Sequence, residues 1–266
     1  MGNDLRARYD DEERRRLRPA PGRWIDDDAH LTRVVGPTPH PLDHMIAHVR
    51  LAGADVDAVI AAEVDRVRRD RRGMQWNVYD DDAPPDLGAR LARAGFREQA
   101  RETVLVRPSG AAPTDDAAPP PGLTLRRLTH EAELADYFAV DEAVWGTGFT
   151  AWVRAWFVAA LAGRADPVAI FVAYAGPAPV GCGWVTLPPR RTFAHLFGGT
   201  VLPAHRGRGV YRALVAARTR TARAAGLPWL VTDANAHSEP RLTRAGFTPI
   251  ARRAEWVLDP PPADGP

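Results

Sequence analysis

Apolar residues recur along this chain at two spacings, and each spacing predicts a different element. In DVDAVIAAEVDRVRRDRRG (55–73), Val56, Val59, Ile60, Val64 and Val67 fall three and four positions apart. That is the pattern of one helix face, and Gly73 is expected to close the helix. PPDLGARLARAG (84–95) predicts another helix, with Pro at its start and Gly at its end. A short charged helix is expected near 3–17. Apolar runs bounded by turn residues predict strands at LTRVVG (31–36), MIAHVRLA (45–52), MQWNVY (74–79) and ETVLVR (102–107). The second half reads as strand 123–128, then helix 129–145, with Thr129 as its cap and Glu131 and Glu133 in its first turn. Helix 151–163, strands 167–176, 179–187 and 191–202, helix 208–226, strand 229–234, helix 238–246 and strand 254–259 follow. The order β-α-α-β-β-β-α-β-α-β predicts an α/β protein with a mixed sheet.

One phrase occurs twice. LARAGF (91–96) and LTRAGF (242–247) each end a predicted helix and precede a strand. In both halves a long amphipathic helix ending in Gly comes first, then a short strand, then the repeated helix. Between the halves lies PSGAAPTDDAAPPPG (108–122), which has almost nothing to bury and reads as a linker. The expected organisation is therefore 1–107, linker 108–122, 123–259, and a Pro-rich tail at 260–266.

Composition narrows the function. The formal net charge is +2, and the basic side is entirely arginine, without a lysine in the chain. Acidic residues are interspersed with the arginines, so no basic stripe marks a nucleic-acid surface. The single cysteine, Cys182, excludes an internal disulfide and a thiolate metal cluster. In VGCGWV it reads as a small buried hydrophobe rather than a nucleophile. No secretion signal, lipidation site or membrane-length apolar run is present, so a reduced cytoplasm is the expected setting, with no membrane partner and no metal.

The stretch that carries chemistry is GTVLPAHRGRGVYRALV (199–215). A strand ends at Leu202, Pro203 stops its pairing, and Arg206-Gly207-Arg208-Gly209 turns directly into a helix. Helix N-terminal amides point outward and favour an anion, glycines let the backbone approach it, and arginines add charge and paired donors. This is a cradle for a pyrophosphate. A Walker A loop is excluded because no Gly-Lys-Ser/Thr follows, and the dinucleotide fingerprint fails on spacing.

The same segment resembles motif A of the GCN5-related N-acetyltransferase (GNAT) superfamily, Arg/Gln-x-x-Gly-x-Gly/Ala. Arg206 and Gly209 match it, and Tyr211 stands where the last small residue is expected. NAHSEPRLTRAGF (235–247) resembles motif B: Asn235 matches its opening Asn and Gly246-Phe247 its end. Leu242 stands where many members carry the Tyr that protonates the leaving thiolate. The resemblance covers about 123–258 and implies an acyl-CoA acyltransferase fold that transfers an acetyl group from acetyl-CoA to an amine by direct attack. It implies pantetheine pairing by the backbone of Thr200, Val201 and Leu202, and pyrophosphate binding by Arg206, Gly207, Arg208, Gly209, Val210 and Tyr211, with Asn235 nearby. A backbone amide of the strand 192–202 would stabilise the oxyanion.

The general base is not fixed by the resemblance. Asp233, at the end of a strand expected to splay from the cofactor strand, and His195 are the candidates, with Glu142 third. Trp145 and Phe149, both in WGTGFT, are expected to line the acceptor pocket, whereas Trp152 and Trp156, one turn apart, are expected in the core. The first half has no Arg-x-x-Gly-x-Gly/Ala, and Asp55 and Asp57 open its helix, where they would repel a pyrophosphate. It is expected to be a degenerate copy of the same fold in a tandem arrangement. The expected function is N-acetylation of a small-molecule primary amine by a monomer or homodimer; the alternative is a non-catalytic acyl-CoA-binding module.

Overall fold

The computed structural model describes residues 2–110, 119–146 and 150–262. In chain order its elements begin with helix α1 (Gly2–Tyr9), which continues into a π-helical turn (Asp10–Arg15), and strands β1 (Trp24–Asp27), β2 (Leu31–Val35) and β3 (His44–Val49). Helix α2 (Val56–Asp70), β4 (Met74–Tyr79), α3 (Leu87–Arg93), β5 (Arg97–Pro108) and β6 (Leu123–Leu128) follow. Then come α4 (Leu134–Trp145), α5 (Thr150–Leu161), β7 (Val168–Ala175), β8 (Ala178–Thr186) and β9 (Phe193–Val201). The chain closes with α6 (Val210–Ala224), β10 (Trp229–Ala234), α7 (Glu239–Arg244) and β11 (Thr248–Leu258). The predicted order of the second half is the observed one, and β1 is the strand that the hydrophobic pattern does not announce. No helix of the described residues is long and apolar enough to cross a membrane.

By packing, the chain forms two compact units. The first comprises Met1–Val104, Ala234–Pro240 and Pro249–Pro266, and the second Leu105–Asp233 and Arg241–Thr248. In the first unit β1, β2 and β3 pair antiparallel, β3 pairs parallel with β4, and β4 pairs antiparallel with β11. The last strand, expected with the second half, thus takes its place beside β4, from Arg253 opposite Tyr79 to Leu258 opposite Met74. The apolar face of α2 (Val56, Ile60, Val64, Val67) packs into a core with Leu31, Ile46, Trp76, Leu91 and Phe96. Asp55 caps α2 by accepting from the Ala58 amide at 3.1 Å. Arg71, with φ 53°, rather than Gly73, is the C-cap. Gly73 answers a different need: a Cβ there would lie 2.5 Å from Cγ of Pro41.

In the second unit β6, β7, β8 and β9 form an antiparallel meander and β10 joins β9 in parallel. Successive side chains of β8 point to opposite faces. Cys182, fully buried, meets Tyr137 of α4 on one face. Gly181 and Gly183 meet α6 on the other, where a Cβ would stand 2.7 Å from Cγ1 of Val210 and 3.1 Å from the Arg218 guanidinium, respectively. VGCGWV is therefore a docking strip: its glycines admit a helix at close range, and its cysteine fills the opposite core. The 3-10 turn Glu131–Glu133 that leads into α4 is capped at His130, one residue after the expected Thr129, and Glu133 accepts from the amides of both.

The twice-written phrase has a local explanation. Phe96 N–H donates to the Leu91 carbonyl at 3.0 Å and Phe247 N–H to the Leu242 carbonyl at 3.1 Å, six residues closing on one. Gly95 and Gly246 take φ of 99° and 86°, and their amides bond to Ala92 and Thr243. Both ends are Schellman C-caps, with the Leu and the Phe buried in each case.

Candidate functional site

The site grows from the parallel pair in the second unit. Trp229, Leu230 and Val231 of β10 stand opposite Phe193, Ala194 and His195 of β9, and the pairing goes no further. Beyond it, Thr232 donates its hydroxyl to the Leu196 carbonyl at 3.0 Å, closing the last position before the strands diverge. This is the splay expected from the sequence. On the other side of β9 the register with β8 slips: Thr200 faces Cys182 and Phe197 faces Trp184, so Gly198 and Gly199 together oppose Gly183. This is a β-bulge, with Gly198 at φ 58°.

After β9 the chain makes a 3-10 turn, Pro203–His205, and Gly207 and Gly209 take φ of 75° and 81°. Gly209 is the N-cap of α6 and brings no side-chain oxygen to the first-turn amides. A Cβ at Gly209 would lie 2.8 Å from Pro120, whereas one at Gly207 would meet open space. Arg206 is exposed and tied back by a 3.1 Å bond from its Nε to the Val201 carbonyl; Arg208 is exposed beside it. The turn therefore joins unsatisfied helix amides, two cations and a flush backbone, the requirements of an anion site. Val210 is buried against Gly181, while the ring of Tyr211 covers Gly199, whose Cβ would be 2.8 Å from Tyr211 Cε2.

The two candidate bases meet. His195 Nε2 lies 3.4 Å from Asp233 Oδ2, at the point where β9 and β10 separate, and the His195 ring stacks on Phe197 at 3.8 Å. Phe197 stacks in turn on Trp184 at 4.6 Å, and Trp184 meets Trp156 edge-on at 4.9 Å. Trp156 and Trp152 stack at 5.9 Å and flank the core. The third candidate, Glu142, is half-buried on α4.

Trp145 is 66% exposed, yet its indole N–H donates to Thr200 Oγ1 at 2.9 Å, so a hydrogen bond, not burial, orients the ring. Thr200 also bonds Asp141, a carboxyl that burial and the neighbouring Glu142 push up to about 6 against that bond. Burial and Asp141 push the Cys182 thiol far up, which removes it as a nucleophile. Val201 is buried and Leu202 half-buried, where the strand ends. Phe149 lies outside the described residues. Asn235 belongs to the first unit, and its Oδ1 accepts from the His237 and Ser238 amides at 3.0 Å, so its side chain caps the turn before α7. Leu242 is 2% exposed and serves the helix end described above.

The first unit has a counterpart of the splay but not of the turn. β3 and β4 pair only at Met45–Gln75 and Ile46–Trp76. Beyond that point Arg14 enters from the N-terminal π-helical turn. It donates to the Ala47 carbonyl at 3.2 Å, pairs with Asp82 at 2.6 Å and lies 3.8 Å over the Tyr79 ring. Tyr9 and Tyr79 join hydroxyls at 2.9 Å. The cleft is filled by the chain itself, and Asp55 puts a carboxylate at the start of α2, where it accepts from the Ala58 amide.

Residues 130–247 match the acetyltransferase (GNAT) family. Solved structures resemble nearly the whole chain. A GCN5-related N-acetyltransferase from Kribbella flavida has a TM-score of 0.68 at 16% identity, covering 90% of each chain. Another from Sphaerobacter thermophilus gives 0.64 at 18%, covering 90% of this chain and 83% of its own. A tandem GNAT protein from the clavulanic acid biosynthesis pathway gives 0.61 at 18%, covering 94% and 86%. No curated protein matches the sequence. The fold is that of the GNAT acetyltransferases, and residues 130–247 are similar in sequence to that family.

Proposed function

We propose that the chain is an acetyl-CoA-dependent N-acetyltransferase that acetylates a primary amine on a small molecule by direct attack in a ternary complex. The observation that supports this most is the diverging pair β9 and β10 beside a helix whose glycine N-cap leaves its first amides to an anion. Arg206, Arg208 and the amides from Gly207 to Tyr211 fit a pyrophosphate, and Thr200, Val201 and Leu202 supply backbone groups for an extended amide chain. Acetyl-CoA supplies the acetyl group. The amine lone pair forms the C–N bond, the C–S bond breaks, and its electron pair leaves on sulfur. His195 takes the proton of the amine, and Asp233 stabilises the resulting imidazolium. With Leu242 at the usual phenol position, solvent protonates a thiolate whose ordinary thiol pKa is about 8.5.

In this reading the first half is a degenerate copy that keeps the fold and has lost the anion turn. The buried Leu242 is the one feature that favours a non-catalytic acyl-CoA-binding module. Calorimetry with coenzyme A and acetyl-CoA, followed by thiol release over a panel of small amines, separates the two. Binding with amine-dependent thiol release supports the enzyme. Binding without it supports the module, and absence of binding removes both.

A further inference from the structure

Helix α6 presents Val210, Leu214 and Arg218 to the sheet, four residues apart, so an arginine stands on its apolar stripe. Arg218 is 2% exposed, and among the described residues no carboxylate pairs with it. The groups whose charge it feels are Tyr211, Tyr137 and Cys182, which burial holds in their neutral forms. Its guanidinium donates to three carbonyls: Nε to Leu214 at 3.1 Å, Nη1 to Phe197 at 2.9 Å and to Trp184 at 3.4 Å. The last two flank the β-bulge. Glycine at 183 and 199 makes the room, since a Cβ would stand 3.1 and 3.3 Å from the guanidinium. A buried cation is costly, and breaking such a contact leaves a polar group unmet, so the arrangement calls for a purpose beyond packing.

The purpose follows from peptide geometry. The carbonyl of Phe197 and the amide of Gly198 belong to one trans peptide and point in opposite directions. A cation donating to that carbonyl withdraws electron density through the peptide and makes the Gly198 N–H a stronger donor. That N–H points away from Arg218, and neither the β8 nor the β10 register gives Gly198 an opposite residue. It lies where β9 has parted from β10, two residues beyond the last position before the splay.

We propose that Arg218 is a positioning residue for acyl transfer, fixing and polarising the Phe197–Gly198 peptide so that the Gly198 amide donates to the thioester carbonyl oxygen. The inference rests on the acyltransferase reading above. Its test is the infrared band of acetyl-CoA carrying ¹³C in the thioester carbonyl, bound to the full-length protein. The wild type is expected to shift the band to lower wavenumber. In Arg218→Met most of that shift disappears, and acetyl-CoA affinity falls about fivefold, the worth of one hydrogen bond, while coenzyme A affinity stays within about twofold. Arg218→Lys, able to reach one carbonyl, restores part of the shift. Gly183→Ala, which keeps the charge and pushes the guanidinium aside, reduces it and carries the test if Arg218→Met does not fold. An unchanged band in the folded variants, or equal loss of coenzyme A and acetyl-CoA affinity, overturns the proposal. Failure of the wild type to bind acetyl-CoA overturns the acyltransferase reading with it.

Discussion

Two carboxylates in the second unit lead to opposite experiments. Asp233 stands 3.4 Å from His195, so Asp233→Asn should slow acetylation about 10²-fold and move the acidic limb of the pH–rate profile to lower pH, with coenzyme A affinity unchanged. His195→Gln should slow it at least as much and remove that limb, and the double variant should be no slower than His195→Gln alone, because Asp233 acts through the imidazole. Thiol-release kinetics against pH reads both; a double variant that multiplies the single losses would show independent roles. Asp141 is a structural liability instead. Its folded carboxyl holds a proton to about pH 6, while an unfolded one releases it near 3.8. Between those values the folded state binds more protons, so stability falls as pH rises through the window, by on the order of 2 kcal/mol at neutral pH. Asp141→Asn should therefore raise the melting temperature by about 5 °C at pH 7.5 and by nothing at pH 4. A gain that is equal at both pH values would contradict the assignment.

At the scale of elements, the turn into α6 separates conformational need from spatial need. Gly207 and Gly209 both take a positive φ, but a Cβ meets Pro120 only at Gly209. Gly207→Ala should weaken coenzyme A binding by the strain alone, roughly 1–2 kcal/mol or about tenfold, and Gly209→Ala by clearly more. Calorimetry that finds the reverse order would detach the site from this turn. The N-terminal segment makes a complementary prediction. Asp82 is buried, and its carboxyl is raised by that burial against the pull of Arg14. Arg14→Met strands it, which should cost about 3 kcal/mol by chemical denaturation without creating a second coenzyme A site. Stability within about 0.5 kcal/mol of wild type would show that the plug is dispensable.

At the scale of the molecule, the two units do not coincide with the two halves of the chain. The last strand lies in the first unit, and Arg107, at the end of β5, lies in the second, where it bonds the Ala245 carbonyl at 2.9 Å and Thr219 Oγ1 at 2.8 Å. Residues 105–266 expressed alone lose β4 and leave β11 without its six-residue ladder. That fragment should lack a cooperative unfolding transition and elute as aggregate, since an unpaired strand edge invites association. A monomeric fragment with sharp melting would contradict it. The intact chain should bind one coenzyme A, because the cleft of the first unit is filled by Arg14 and the start of its helix α2 is capped by Asp55.

Local physics determined much of this from the sequence alone. Helical spacing placed α2, and the run from Arg206 to Gly209 announced a tight turn into a helix, because φ preference is a property of neighbouring residues. The repeated LxRAGF was also legible, though as a helix cap whose six residues contain their own explanation. What lies across strands was not legible. The meeting of His195 with Asp233 depends on a three-residue register, and the placement of β11 beside β4 on a choice between partners that present similar apolar faces. Arg218 left one readable sign, a charge on the stripe of Val210 and Leu214. Two of its carbonyl partners, Trp184 and Phe197, lie on strands β8 and β9, and glycines at 183 and 199 leave the room for the guanidinium to reach them. Pairing and close approach are decided by the sum of many weak tertiary contacts, which no local window of sequence contains.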